Sequence, residues 1–184
     1  MMRVLKFVGL ALVIAIAGVL GYAATRPDHF QVSRSARINA PAEAIFPLIN
    51  DLKAFNGWNP FAKHDPAMAI TYNGTPSGPG AAYTWNGDSS VGAGSISIKQ
   101  STPPSRVVMA LDMAKPLEAH NTVVFALNPG DGATEVSWTM SGESPFISKV
   151  LGLFCNVDTR VGGEFEKGLQ SLKARAEGRA SGSS

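Results

Sequence analysis

The chain has 184 residues, of which 45% are hydrophobic and 16% charged; about 155 follow an apolar N-terminal run, enough for one domain with a closed core. Three of its 16 basic residues, Arg3, Lys6 and Arg26, flank that run, so 13 basic face 14 acidic residues from Pro27 onward, with no electrostatic claim on nucleic acid. The one cysteine, Cys155, excludes an intrachain disulfide and a thiolate metal cluster and reads as a structural thiol.

Phe7 to Ala24 carries no charge over 18 residues, the lower end of what crosses a bilayer core at ~1.5 Å per residue. Residues 1–26 are therefore read as a single-pass membrane anchor. Arg3, Lys6 and the small-x-small pattern Gly21-Tyr22-Ala23 also fit a cleaved signal peptide, but the run exceeds the ~7–15 residues usual there. So short a leading tail places the domain outside the cytoplasm, on the periplasmic side of a Gram-negative cell, although Arg26, Arg34 and Arg37 compete under the positive-inside rule. Secretion after cleavage is the alternative.

Next, "FQVSRSARINA" alternates as a half-buried strand, with Phe30, Val32, Ala36 and Ile38 on one face. "PAEAIFPLINDLKAFNGW" has Ile45, Leu48, Ile49 and Leu52 at helical spacing, with Pro41 at the first helical position and Pro47 and Gly57 dividing it into two short helices. From Ala67 the period is two through six strands, punctuated by "NGTPSGPG", "NGD", "STPPS" and "NPGDG", which predicts an antiparallel meander. "SPFISKVLGLF" returns to helix with Ser144 as candidate cap. A longer helix then repeats Val157, Val161, Phe165, Leu169 and Leu172 every three or four residues. Gly162, Gly163 and Gly168 within it imply close approach to the sheet or room for a bound molecule. "EGRASGSS" has nothing to bury, and residues 178–184 read as a tail.

This order of elements, with the blocks "APAEAIFPLINDLKAFNGWNPFAKHDP", "YTWNGDSSVGAGSISI" and "TEVSWTMSGE", resembles the SRPBCC superfamily of START and Bet v 1-like proteins, in particular its bacterial polyketide cyclase/dehydrase-like branch. The resemblance covers Phe30 to Glu177 and implies an α+β helix-grip fold over residues 27–177. In that fold a curved antiparallel sheet wraps around the long C-terminal helix, leaving a cavity between them. It also places "WNPFAKHDP" at the cavity mouth, with Trp58 and Phe61 as a lid.

His64 and Asp65 are adjacent and point apart in an extended loop, with no third group to orient them, so they read as exposed loop residues and not as a catalytic dyad. None of His29, His64 and His120 stands at metal-ligand spacing, no motif for a phosphate or cofactor appears, and none is expected. Asp112 falls outward, with Val108 and Ala110. What converges is an apolar face, with Tyr72, Tyr83, Trp85, Met109, Phe125, Trp138 and Met140 from the sheet and Phe165 and Leu169 from the helix. Asn121 falls on the same inward face, where its amide could orient a ligand. The expected function is a membrane-tethered module binding a small hydrophobic molecule, lipid-, isoprenoid- or polyketide-like, with Trp58 and Phe61 over it. Two alternatives stand beside it: a cyclase or dehydratase using Tyr72, Tyr83 or His64 as acid-base groups, and an envelope domain that binds a protein partner.

Overall fold

The computed structural model describes residues 2–152 and 157–178, so the expectations for Cys155 and for most of the tail lie outside the described residues. Seven antiparallel strands make one sheet in the order β1-β7-β6-β5-β4-β3-β2. The strands are β1 (His29–Ile38), β2 (Ala69–Asn73), β3 (Ala82–Asn86), β4 (Ala93–Thr102), β5 (Arg106–Lys115), β6 (Ala119–Gly130) and β7 (Ala133–Glu143). The six-strand meander is present, and its last strand returns beside the first. Asp131 and Gly132, both with positive φ, close the β6–β7 hairpin with the backbone that an Asp-Gly turn supplies.

Period two sets the inward face. Val107 and Met109 of β5, Val123, Phe125 and Leu127 of β6, and Val136, Trp138 and Met140 of β7 are buried. The register lays Met109 against Val123, and Phe125 against both Val107 and Trp138. Each such burial contributes about 1.5–3 kcal/mol. Asp112 faces outward opposite His120, as the alternation requires. Register shifts in the β4–β5 pairing mark the irregularities that bend a sheet. At Gly94 an added Cβ would lie 2.6 Å from the Trp85 ring, so the missing side chain lets that indole lie across β4.

Two helices cover one end of this face, α2 (Ala42–Asn50) and α3 (Leu52–Trp58). The break between them differs from the sequence expectation. Pro41 is the cap of α2, Pro47 sits inside it and Gly57 inside α3. The chain turns at Asp51, whose extended backbone ends α2 while its carboxylate accepts from the Lys53 and Ala54 amides to start α3. Gly57 makes room for the Arg175 guanidinium, which donates to the Gly57 carbonyl at 2.7 Å.

The long helix α5 (Val157–Ala176) lies against β1 and β7 and buries Phe165, Leu169 and Leu172. Arg34 of β1 holds it by ion pairs to Asp158 at 3.0 Å and Glu166 at 2.8 Å. An added Cβ at Gly162 would fall on that guanidinium, and one at Gly168 would meet the Trp138 ring at 2.6 Å and Pro60 at 2.9 Å. These two glycines therefore serve close approach. Gly163 meets nothing within 4 Å and faces away from Phe165, two residues and ~200° around the helix.

At the N-terminus α1 (Met2–Ala24) is helical, with Leu10, Leu12, Val13 and Ile14 exposed and its end beside α4 (Phe146–Gly152). Among the described residues no helix is long and apolar enough to cross a membrane. The anchor expectation is not supported here; the side chains of residues 2–6 and Val8 lie outside the described set.

Two alanine substitutions on one helix should separate by sign. Gly163→Ala removes a helix-interior glycine in open space and should stabilise the protein by up to about 1 kcal/mol. Gly168→Ala overpacks the Trp138 contact and should destabilise it by about 1–3 kcal/mol. Urea unfolding of both variants checks this, and equal midpoints would show that Gly168 is not tightly packed.

Candidate functional site

A partly open cavity of about 280 Å³ lies between the sheet and α5, beneath α3 and the 3-10 turn Pro60–Lys63. This is near the lower end of the ~300–1,000 Å³ usual for ligand pockets. Seven of the expected residues line it: Phe61, Tyr83, Trp85, Asn121, Trp138, Met140 and Phe165. Met68 and Met113 add thioethers, and Ile96, Leu111, Val123 and Val161 add aliphatic wall. Among the described lining residues there is no carboxylate, imidazole, ammonium or guanidinium.

The other five expected residues lie elsewhere, for reasons of packing. Trp58 is no lid: it is fully buried, its Nε1 donates to the Leu48 carbonyl at 2.8 Å, and its ring stands edge-on to Phe55, Phe125 and Trp138. Phe125 belongs to that aromatic cluster, Met109 and Leu169 are likewise fully buried, and none of the three lines the cavity. Tyr72 sits on the edge strand β2, 39% exposed, where its hydroxyl accepts from Asn56 Nδ2 at 3.0 Å. Of the expected lid only Phe61 stays at the mouth, partly exposed, 6.5 Å from the Phe165 ring.

Polar groups in the lining come mostly from residues that the strand pattern could not flag. Asn56 projects from α3. Asn59 caps both α3 and the 3-10 turn, is buried, and accepts from the Phe61 amide at 3.3 Å. An Asn immediately before a Pro is the visible signal for such a cap, and Asn56 and Asn59 share a helical face by their spacing of three. Burial pushes the Tyr83 hydroxyl far above its ordinary range, with the Tyr72 charge acting in the same sense and Asn59 and Asn56 opposing it. Tyr83 is therefore a neutral hydrogen-bonding group at physiological pH. Trp138 stacks on Phe165 at 4.2 Å and 10°, and its buried Nε1 has no partner.

His64 and Asp65 diverge. His64 Nε2 meets Glu164 Oε2 at 3.0 Å, while Asp65 accepts from the amides of Ala67 at 2.9 Å and Asp88 at 3.0 Å. They pin the loop to α5 and to the β3–β4 connection, so the reading of idle exposed residues understates them.

A second concavity of about 960 Å³ is open to solvent beside the end of α1, with Arg26, His29, Glu118, His120, Glu143 and Lys149 among its walls. Its size comes from being an open cleft, and its charged rim suits water. Asn121 lines both spaces.

A family model described as polyketide cyclase / dehydrase and lipid transport matches residues 29–177. The chain belongs to that family. Among solved structures, a protein from Chromobacterium violaceum aligns with TM-score 0.57 at 15% identity, over 83% of this chain and 99% of its own. One from Thermobifida fusca aligns with TM-score 0.57 at 23% identity, over 81% and 94%. Ara h 8.0201 aligns with TM-score 0.56 at 11% identity, over 82% and 99%. At these identities the likeness is one of fold: a Bet v 1-like helix grip, as the sequence blocks implied. A search of curated proteins finds no match. Family membership carries with it a fold that binds small hydrophobic molecules.

The cleft yields a pH prediction. A hydrogen bond to Asp112, 2.7 Å from His120 Nδ1, raises the imidazole pKa above its ordinary 6.5, helped by the charges of Asp112 and Glu118 against some desolvation. A raised folded-state value means that the pair stabilises the fold fully below about 6.5 and loses that contribution as pH rises through the folded value. An NMR titration of His120 should show a midpoint above 6.5 that falls back in Asp112→Asn. The stability gap between wild type and Asp112→Asn should be wider at pH 5.5 than at pH 8.5, and an unchanged His120 midpoint in the variant would refute the pairing.

Proposed function

We propose that the protein binds one small, uncharged, mainly apolar molecule in the cavity and acts as a carrier or sensor of it. The observation that carries this reading is the composition of the lining: aromatic rings, three thioethers and aliphatic chains around a partly open cavity, with no charged side chain among the described residues. Burying a carboxylate or ammonium there without a partner would be strongly unfavourable, whereas an apolar molecule gains roughly 25 cal/mol per Å² removed from water. Flexible Met68, Met113 and Met140 allow the wall to fit ligands of differing outline. The family's description, which includes lipid transport, points the same way.

The proposal includes attachment to a membrane through α1, with the domain outside the cytoplasm. What supports it is the sequence run Phe7–Ala24, apolar on every side, together with the exposure of most of its described side chains. Attachment there would hold the open cleft, at the end of α1, near the bilayer surface where apolar ligands partition. In a carbonate wash the full chain should stay with membranes, and its release as a mature form beginning near Ala24 would replace the tether by secretion.

For the cavity, lipid extraction and mass spectrometry of the purified full chain should reveal an apolar small molecule. The neutral fluorophore N-phenylnaphthylamine should bind with about micromolar affinity, roughly −8 kcal/mol. Val161→Phe adds a ring to the lining beside Phe165 and should weaken that binding at least tenfold, about 1.4 kcal/mol, with the fold intact by circular dichroism. A folded wild type that takes up no probe would end the carrier reading.

A further inference from the structure

Outside α1, five large apolar side chains among the described residues are more than a third exposed. Phe61 stands at the cavity mouth and Tyr72 on the edge strand. The other three gather at one end of the domain: Phe146 and Ile147 open α4, and Leu117, in the β5–β6 connection, walls the same cleft as Pro145 and Lys149. A lone exposed apolar residue is ordinary, whereas several at one end mark a contact surface. This is also the end from which α1 leaves. Only Thr25 to Asp28 join α1 to β1, a reach of at most about 14 Å, and that link is braced. The Thr25 and Arg26 amides donate back to the Tyr22 and Ala23 carbonyls, and Ala23 is buried. Asp28 takes the Ser144 amide on its carbonyl at 2.7 Å and the Lys149 ammonium of α4 on its carboxylate. The last turn of α1 carries Tyr22, with the Arg26 guanidinium 5.2 Å from its ring centroid, an amphipathic pair suited to the polar boundary of a bilayer.

Resting on the tether reading of α1, we infer that the domain itself docks on the bilayer surface, with Leu117, Phe146 and Ile147 entering the layer between headgroups and acyl chains and the cleft facing the lipid. With the polar boundary at Tyr22 and so short and braced a link, this end of the domain is held against the headgroups. Interfacial apolar side chains reach about 5–10 Å into that layer. The contact is apolar in origin: the cleft's Arg26 and Lys149 are matched by Glu118, Glu143 and Asp158, and Lys149 is already paired with Asp28, so the surface makes no net claim on anionic headgroups. A second copy of the chain would have to displace lipid that α1 already holds in place.

The test uses the full chain, methyl-labelled at Ala, Ile and Leu, in phosphatidylcholine nanodiscs. Lipid carrying a nitroxide on its acyl chain should broaden the methyls of Leu12 and Ile14 in α1 and also those of Leu117 and Ile147. Leu127 should stay sharp, since it lies about 26 Å along β6 from Ala119 at ~3.3 Å per residue. A water-soluble gadolinium chelate should broaden exposed Ala44 at least threefold more than Leu117 or Ile147. Ala44 serves as the control because its helix starts beside the far end of the domain, where the Ala40 carbonyl accepts from Thr134. The pattern should persist at about 0.5 M salt, where surface electrostatics are screened. Broadening of Leu12 and Ile14 by the lipid nitroxide without Leu117 and Ile147, or chelate access to these two equal to that of Ala44, would overturn the docking and leave the tether standing. Loss of the contact at high salt would overturn its apolar origin. Shielding from the chelate that rises with the number of chains per disc, without broadening by lipid, would assign the surface to a second copy and overturn the membrane assignment. No lipid broadening at Leu12 and Ile14 either would remove tether and docking together.

Discussion

Trp138 and Phe165 lie nearly parallel, their ring centroids 4.2 Å apart with 10° between the planes, and through this stack the centre of the sheet meets the long helix. On one side Trp138 is packed against Phe55, Trp58 and Phe125, three rings at or near zero exposure, of which Phe55 also borders the cavity. On the other side it lines the cavity. The stack thus divides the interior into a solid half and a hollow half. Gly168 permits it, since a Cβ there would strike the Trp138 ring, and the Arg34 ion pairs to Asp158 and Glu166 fix the helix at the height the stack requires. A protein interior normally closes to crystal-like density. Here rigid aromatics on one side of the divide keep the other side open, and the flexible methionines are concentrated in the open half.

The charge distribution follows the same division. Among the described residues the ion pairs lie outside the cavity lining: Asp112 with His120, Asp28 with Lys149, and Glu164 with Lys167 and His64, the Lys149 and Glu164 side chains being largely covered. Among the described residues the polar side-chain groups of the lining are amides, hydroxyls and two indole N–H groups. Such a lining discriminates by hydrogen-bonding capacity and shape, and it rejects ions through desolvation. Asn121 borders both the cavity and the cleft.

Much of this was legible in the sequence, because the fold rests on periodicity. Alternation in the run from Phe30 and again from Ala67 to Glu143 indicated the seven strands and assigned Asp112 outward, and the three- and four-residue spacing from Val161 to Leu172 placed the helix face. What alternation cannot tell is which inward residues meet a void and which meet another layer. Met109 and Met113 share one face of β5, yet the first is fully buried away from the cavity and the second borders it. That difference depends on where α3 crosses the sheet, which is set by the Asp51 turn, and the prolines and glycines around it drew attention to Pro47 and Gly57 instead. Trp58 was read as a lid because the family resemblance placed its loop at the cavity mouth; its hydrogen bond to Leu48, in the preceding helix, is a tertiary fact. Gly163 was a different kind of miss, for a helical wheel already puts it opposite Phe165.

The central claim is that bound ligand occupies the hollow half and not the core or the open cleft, and intermolecular NOEs to methyl-labelled methionines test it most directly. With N-phenylnaphthylamine bound to the full chain, cross-peaks should appear to the methyls of Met68, Met113 and Met140, and none to Met109, which is buried just across the divide. Cross-peaks confined to Leu117 and Phe146 on the surface, or equally strong to Met109, would contradict the account.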